Sequence, residues 1–189
     1  DLWLGPAKMR PYHSSYTHFR WRGWKDFGTG ALGDMGCHTW NLPFMALDMV
    51  NPISVKAEVW DATEVSFPKK SIIRYVFGPR GSMPGLKFTW YDGGLKPDPE
   101  LMFGRELPGS GCVIIGSKGR LFSGDDYGRR YELLPKENFE GFMKPVPSLP
   151  RSPGHYQEWI RACKGGEQAM SNFDYASALT ETVLLGVLA

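Results

Sequence analysis

The sequence predicts an α+β fold: an open, mostly antiparallel sheet with helices on one face. Three observations predict it. Residues 31–49 are apolar nearly all round, as a buried helix is. After them the hydrophobic period drops to two through several consecutive segments. Two helical segments close the chain. Strands in a run followed by helices favour α+β over a doubly wound sheet.

Each element has its own signal. Residues 1–30 form an aromatic-rich, basic and irregular leading segment, with Trp3, Tyr12, Tyr16, Phe19, Trp21, Trp24 and Phe27 among Arg10, Arg20 and Arg22. The helix over 31–49 carries Leu32, Met35, Trp40, Phe44, Met45, Leu47 and Met49, with Pro43 as a kink or break. Met35, Met45 and Met49 are expected in the core. Ile53, Val55, Ala57 and Val59 alternate with polar residues and read as a half-buried strand; Ser71–Phe77 and Leu86–Tyr91 follow. Cys112–Gly116 and Arg120–Phe122 flank Ser117-Lys118-Gly119, a hairpin signal, and Tyr131–Leu134 adds a strand. Prolines at 135, 145, 147, 150 and 153 mark a surface crossing. A short helix over Gly154–Lys164 stops at Gly165-Gly166. The last helix runs through Leu188, with Ser171, Asn172 or Asp174 as its cap.

Composition narrows the class. The 189 residues are 42% hydrophobic and 22% charged, with a net charge of +2, as in an ordinary globular protein. One domain over 1–189 is expected. No basic stripe suggests nucleic acid, and no apolar run approaches the roughly 18–20 residues of a membrane span. Cys37, Cys112 and Cys163 are widely spaced, with no Cys/His ligand cluster, so no metal is expected. They read as buried free thiols in a reducing compartment, hence cytoplasmic, or periplasmic if an export signal precedes the chain. Both ends look cut, so further sequence is expected beyond them.

Gly28-Thr-Gly30-Ala-Leu-Gly33 fits the dinucleotide pattern GxGxxG, but Trp21–Phe27 before it is no buried strand and no βαβ alternation follows. A tight loop turning into the helix is the plainer reading. Asp34 and His38, spaced i, i+4, share one face of that helix. A histidine with a nearby carboxylate suits acid–base chemistry near neutral pH. The structural alternative is a helix cap and a satisfied core histidine. The flat rings of Tyr12, Trp21 and Trp24, beside His13 and Arg22, suit the C–H faces and hydroxyl edges of a sugar. The alternative is a loop anchored by its aromatics. Arg151 and His155 open the Gly154–Lys164 helix as further substrate contacts. Tyr91 and Asp92, at a strand end, are weaker candidates.

The segment from Gly28 to His38 closely resembles the GGG-x-x-x-D-x-G-x-H segment of the glucose–fructose oxidoreductase/inositol dehydrogenase (Gfo/Idh/MocA) family. Asp1–Pro6, Trp21–Trp24, Leu86–Gly94, Pro150–Trp159 and Ser171–Tyr175 also look like a bacterial branch of that family, so the resemblance runs over essentially the whole chain. It implies the C-terminal half of an NAD- or NADP-dependent oxidoreductase, whose Rossmann domain lies outside this chain and holds the cofactor. It implies His38 as the acid/base, and Asp34 as its orienter or as a ligand for a neighbouring hydroxyl. A lysine from an E-K-P motif would complete the site; here Lys96 and Lys144 precede proline, but in loops and after the wrong residues. The expected substrate is a sugar, cyclitol or glycoside, by simple oxidation or by transient oxidation that enables elimination. A homo-oligomer packed through the sheet face is expected. The alternative is a non-catalytic carbohydrate-binding or oligomerisation module on the same fold.

Overall fold

The computed structural model describes Leu2–Ala189. It is α+β, with four α-helices and two antiparallel sheets of three strands each, ordered β1-β2-β3 and β4-β5-β6. The first sheet comprises β1 (Ser54–Trp60), β2 (Lys70–Phe77) and β3 (Leu86–Tyr91), and the second β4 (Cys112–Gly116), β5 (Gly119–Ser123) and β6 (Glu132–Leu134). A single open sheet was expected. The strands divide because the 92–111 connection carries Pro97, Pro99 and Pro108 and several glycines, and spends its backbone on a 3-10 turn at Pro99–Met102. Among the described residues no helix is long and apolar enough to cross a membrane.

The first sheet is two-faced. Register sets Val55 opposite Tyr75 and Tyr75 opposite Phe88, so these three share a side with Ala57, Ile73, Phe77, Leu86 and Trp90. That side packs on the helices: Ile73, Tyr75 and Phe77 are buried with Leu32, Trp40, Phe44, Leu179 and Val183. The opposite side carries Lys56, Glu58, Arg74 and Lys87, with Arg74 paired to Glu58. Asp92 closes the edge of this sheet. Its carboxylate accepts from the Ser71 N–H and hydroxyl, both at 2.7 Å, and from Trp90 Nε1 at 2.9 Å. Its role here is therefore structural, tying β2 to β3.

The helix expected over 31–49 is two helices, α1 (Gly30–Thr39) and α2 (Asn41–Leu47). The break falls at Trp40, before Pro43. Pro43 is the third residue of α2, where a backbone N–H would have no intrahelical partner, so proline fits there. Met49 is buried and Met35 partly so, but Met45 faces solvent, because α2 turns that side outward. The thiols also depart from expectation: Cys37 and Cys163 are exposed and Cys112 half-buried, all three free. Strands β3 and β4 have the expected bounds, and the Ser117-Lys118 hairpin joins β4 to β5.

Helix α3 (His155–Cys163) begins after Gly154, and α4 (Phe173–Leu188) is capped by Asn172, whose side chain accepts from the Tyr175 N–H at 3.1 Å. α4 lies on α1 and on the apolar side of the first sheet. Their approach needs a residue without a side chain. A Cβ at Gly186 would sit 1.8 Å from the Tyr75 hydroxyl and 2.7 Å from Leu32 Cδ2.

Gly186→Ala decides whether that approach matters. At an open helix position the change would stabilise by up to about 1 kcal/mol. Here it should destabilise by about 1–3 kcal/mol, as overpacking does. Urea denaturation measures it, and a gain in stability would mean that α4 does not sit this close.

Candidate active site

Helix α1 builds the site because its two sides are chemically distinct. Leu32, Gly36 and Trp40 are buried, at spacings of four. Asp34 and His38 occupy another stripe, with Asp34 partly covered and His38 exposed. The glycines before α1 serve packing. A Cβ at Gly28 would lie 2.4 Å from Arg22 Cα, and Gly30 has φ +73° with Phe67 against it. Arg20–Gly23 is a 3-10 turn and Trp24 makes a single bridge to Ser66, so no strand feeds the glycines. This loop does not fit a dinucleotide pyrophosphate, which needs a strand before the turn and free glycine faces.

Asp34 and His38 are not joined by a hydrogen bond among the described residues. The Asp34 carboxylate instead pairs with Arg22 Nη1. Arg22 lies on the 3-10 turn packed beside α1, so the carboxylate meets a guanidinium there in place of the imidazole. The Arg22 guanidinium carbon also lies 4.0 Å from the centre of the exposed Phe19 ring. Arg22, expected to meet substrate directly, thus holds the carboxylate. Cys37 stays a thiol: its S–H donates to the Asp34 carbonyl at 3.4 Å, and partial desolvation, then the Asp34 charge, push its pKa up.

The other sequence candidates divide. Trp24 is turned into an aromatic cluster, edge-on to Tyr16 at 5.0 Å, with Nε1 donating to the Ser15 carbonyl at 3.2 Å. Tyr16 and Trp3 both meet Phe27 there. For Trp24, then, the anchoring alternative fits. Trp21 stays exposed beside Arg22, and Tyr12 is exposed. His13 shares its Nδ1 with the Ser15 hydroxyl at 2.7 Å. Arg151 and His155 are exposed, and His155 packs on Tyr156 with ring centres 4.4 Å apart. No hydrogen bond, ion pair or ring contact among the described residues joins them to α1. The segments around them are fastened to α3 itself. The buried Glu158 carboxylate accepts from the Met170 N–H at 2.8 Å, and the Ser152 hydroxyl, followed by this N–H, holds its pKa below the usual range.

The structure adds a wall that the sequence did not reveal, the β5–β6 loop. Thr39 Oγ1 donates to Asp126 Oδ1 at 2.7 Å, and Ser110 bonds the same carboxylate. Gly128, at φ +64°, lies so close to α2 that a Cβ there would stand 2.1 Å from Leu42 Cδ1. Asp125 folds the loop, accepting from the Tyr127 N–H at 2.7 Å and the Arg129 N–H at 3.3 Å. So held, the exposed Tyr127 ring stands edge-on to His38 with centres 5.8 Å apart. Arg129 lies 5.4 Å from the same ring. Only the turn-forming Gly124-Asp-Asp-Tyr-Gly128 run hinted at a shaped loop.

Among the described residues no group of three or more His, Cys, Asp or Glu side chains could hold a metal ion. Residues 1–79 match the family model of the oxidoreductase family C-terminal α/β domain (Gfo/Idh/MocA). No curated protein matches the chain. The matched segment includes Arg22, Asp34 and His38 and ends before Tyr127, Arg151 and His155.

Two outcomes test the loop. Asp126→Ala removes charge-assisted bonds to Thr39 and Ser110, so it should cost about 1–3 kcal/mol and speed amide exchange at Tyr127–Arg129. Unchanged exchange there would separate the loop from α1. The Asp125 pKa lies below its ordinary value, chiefly through the Tyr127 N–H, against a smaller opposing effect of desolvation, with the Arg129 and Arg130 N–H groups and the Arg129 charge adding to the lowering. A lowered value means that the turn is fully favoured above the unfolded carboxylate pKa and weakens as pH falls through the folded one. Loop protection, corrected for intrinsic exchange, should therefore drop in acid and should not rise.

Proposed function

We propose that this chain, whose residues 1–79 match the family model of the Gfo/Idh/MocA oxidoreductase C-terminal α/β domain, is the substrate-binding and catalytic half of an NAD(P)-dependent dehydrogenase. Its substrate on this reading is a hydroxyl of a sugar, cyclitol or glycoside. One observation carries the proposal. His38 is exposed on α1, one turn from an ion-paired carboxylate and beside an exposed tyrosine ring. A satisfied core histidine would be buried. A capping aspartate would precede the helix, yet Thr29 holds the N-cap position and Asp34 lies inside.

His38 then takes or returns the proton of the reacting hydroxyl. Asp34, held in place by Arg22, faces a neighbouring hydroxyl. Tyr127, Trp21 and Phe19 offer exposed ring surface to the C–H face of a ring sugar. NAD or NADP supplies hydride chemistry from a nucleotide-binding domain, because the Gly28–Gly33 loop of this chain does not fit it. The outer side of the first sheet, where Trp60 is exposed and Ile72, Val76 and Tyr91 are half-buried among charges, is read as the homo-oligomer face. The exposed free thiols Cys37 and Cys163 suit a reducing compartment such as the cytoplasm.

Calorimetry of this chain with NADH and NADPH should show no binding. Micromolar affinity would make Gly28–Gly33 a cofactor site and overturn the division of labour. In the protein that includes its nucleotide-binding domain, Asp34→Asn and Arg22→Gln should each lower kcat/KM by roughly 10- to 100-fold, about the loss of one charge-assisted bond. The double variant should lose little more than either single, because one removes the other's partner. Unchanged kcat/KM with a lowered melting temperature would leave the pair a structural tie and favour the binding-module alternative.

A further inference from the structure

Away from α1, one cation has a buried donor with nothing to receive it. Arg120, on β5, has its Nε buried and without a hydrogen-bond partner. None of the ion pairs among the described residues includes it. A buried unpaired donor costs about 1–3 kcal/mol, and more when it belongs to a charged group. The neighbouring arginine shows the usual solution, since Arg105 pairs with Glu132 at 3.1 Å.

The surroundings of Arg120 are built rather than loose. Its guanidinium carbon lies 4.1 Å from the centre of the Phe103 ring, which offers a face but no acceptor in the plane. Phe103 takes φ 56°, a left-handed backbone that a bulky residue rarely adopts. Such a conformation costs about 1–3 kcal/mol and persists where its neighbours over-determine it. The hairpin tip opposite is pinned, with Asn138 Nδ2 donating to the Lys118 carbonyl at 2.9 Å. Beneath it, a Cβ at Gly119 would fall 2.4 Å from the Leu134 carbonyl oxygen and 2.6 Å from the Phe139 ring. Phe103, Ser117, Lys118, Arg120 and Asn138 line a cavity of about 280 Å³ that has no carboxylate in its wall. That volume lies near the lower end for small-ligand clefts, roughly 300 Å³.

We propose that this cavity binds a small oxyanion, a carboxylate or phosphate group, between the Arg120 guanidinium and the Lys118 ammonium, with the Ser117 hydroxyl as a further donor. The buried Nε shows that the fold supplies this cation with no acceptor, and an oxyanion in the cavity meets the outer Nη donors of the planar fork that arginine presents to such groups. Two cations without a lining anion leave the positive charge for the ligand to neutralise. The proposal stands apart from the reading of α1 and does not depend on it.

Amide chemical shifts of this chain, titrated separately with inorganic phosphate and with acetate at constant ionic strength in chloride, test it. Saturable shifts at Phe103 and Gly116–Arg120, with a Kd of roughly 1–10 mM, are expected for at least one anion, as for a few charge-assisted bonds. Which anion saturates tells a phosphate site from a carboxylate site. Arg120→Gln should weaken binding by roughly 10-fold or more. Lys118→Gln, at the exposed tip, should weaken it less and leave the spectrum of the folded chain intact, so it decides if Arg120→Gln does not fold. Shifts no different from those in chloride alone would overturn the site, as would equal binding by wild type and both variants.

Discussion

The burial of Trp40 is the constraint on which the rest of this structure depends. Its ring is 1% exposed and stacks on Phe88 with centres 4.2 Å apart, edge-on to Tyr75 at 4.9 Å. Its Nε1 donates to the Met49 sulfur at 3.2 Å, so the indole keeps a polar partner inside the core. Truncating a buried tryptophan typically costs about 3–5 kcal/mol, a large share of a domain's stability. Trp40 also marks the corner between α1 and α2. One side chain therefore fixes the C-terminal end of α1 to the sheet and sets the direction in which α2 leaves.

With that end fixed and Gly36 and Leu32 against α4, α1 cannot rotate without opening the core. Asp34 and His38 inherit a fixed bearing toward solvent. Two other parts of the chain converge on that bearing. The leading segment brings Arg22 and Phe19, the β5–β6 loop brings Tyr127, and Thr39 carries the loop's anchor at Asp126. Rigid helix and adjustable loops are the usual division between positioning and recognition.

The strands were legible because their signal is local. Leu86–Tyr91 and Cys112–Gly116 alternate or run apolar between turn residues, and nothing distant competes with that pattern. The break at Trp40 was not legible. A tryptophan in an apolar helix reads as core whether or not the chain bends there, and the nearby proline drew attention three residues too far. The exposure of Met45 follows from the same bend. The division into two sheets depends on long-range pairing, which period-two patterns do not encode. At the site, Asp34 and His38 were visible because their spacing is local to one helix. Arg22 is visible as a residue but not as the partner of Asp34, and Tyr127 is not visible at all, since 88 intervening positions separate it from His38 in sequence. Arg151 and His155 stand out only by lying at a helix start, a local cue that carries no information on what that helix faces.

The central claim is that the solvent-facing stripe of α1 does chemistry rather than hold the fold. The most direct measurement is turnover beside melting temperature for His38→Ala, in the two-domain dehydrogenase proposed above. The account predicts a folded protein, with a melting temperature close to wild type because His38 is exposed, and turnover reduced about 100-fold or more, the usual contribution of a general acid–base. A stable His38→Ala protein with full turnover would contradict it.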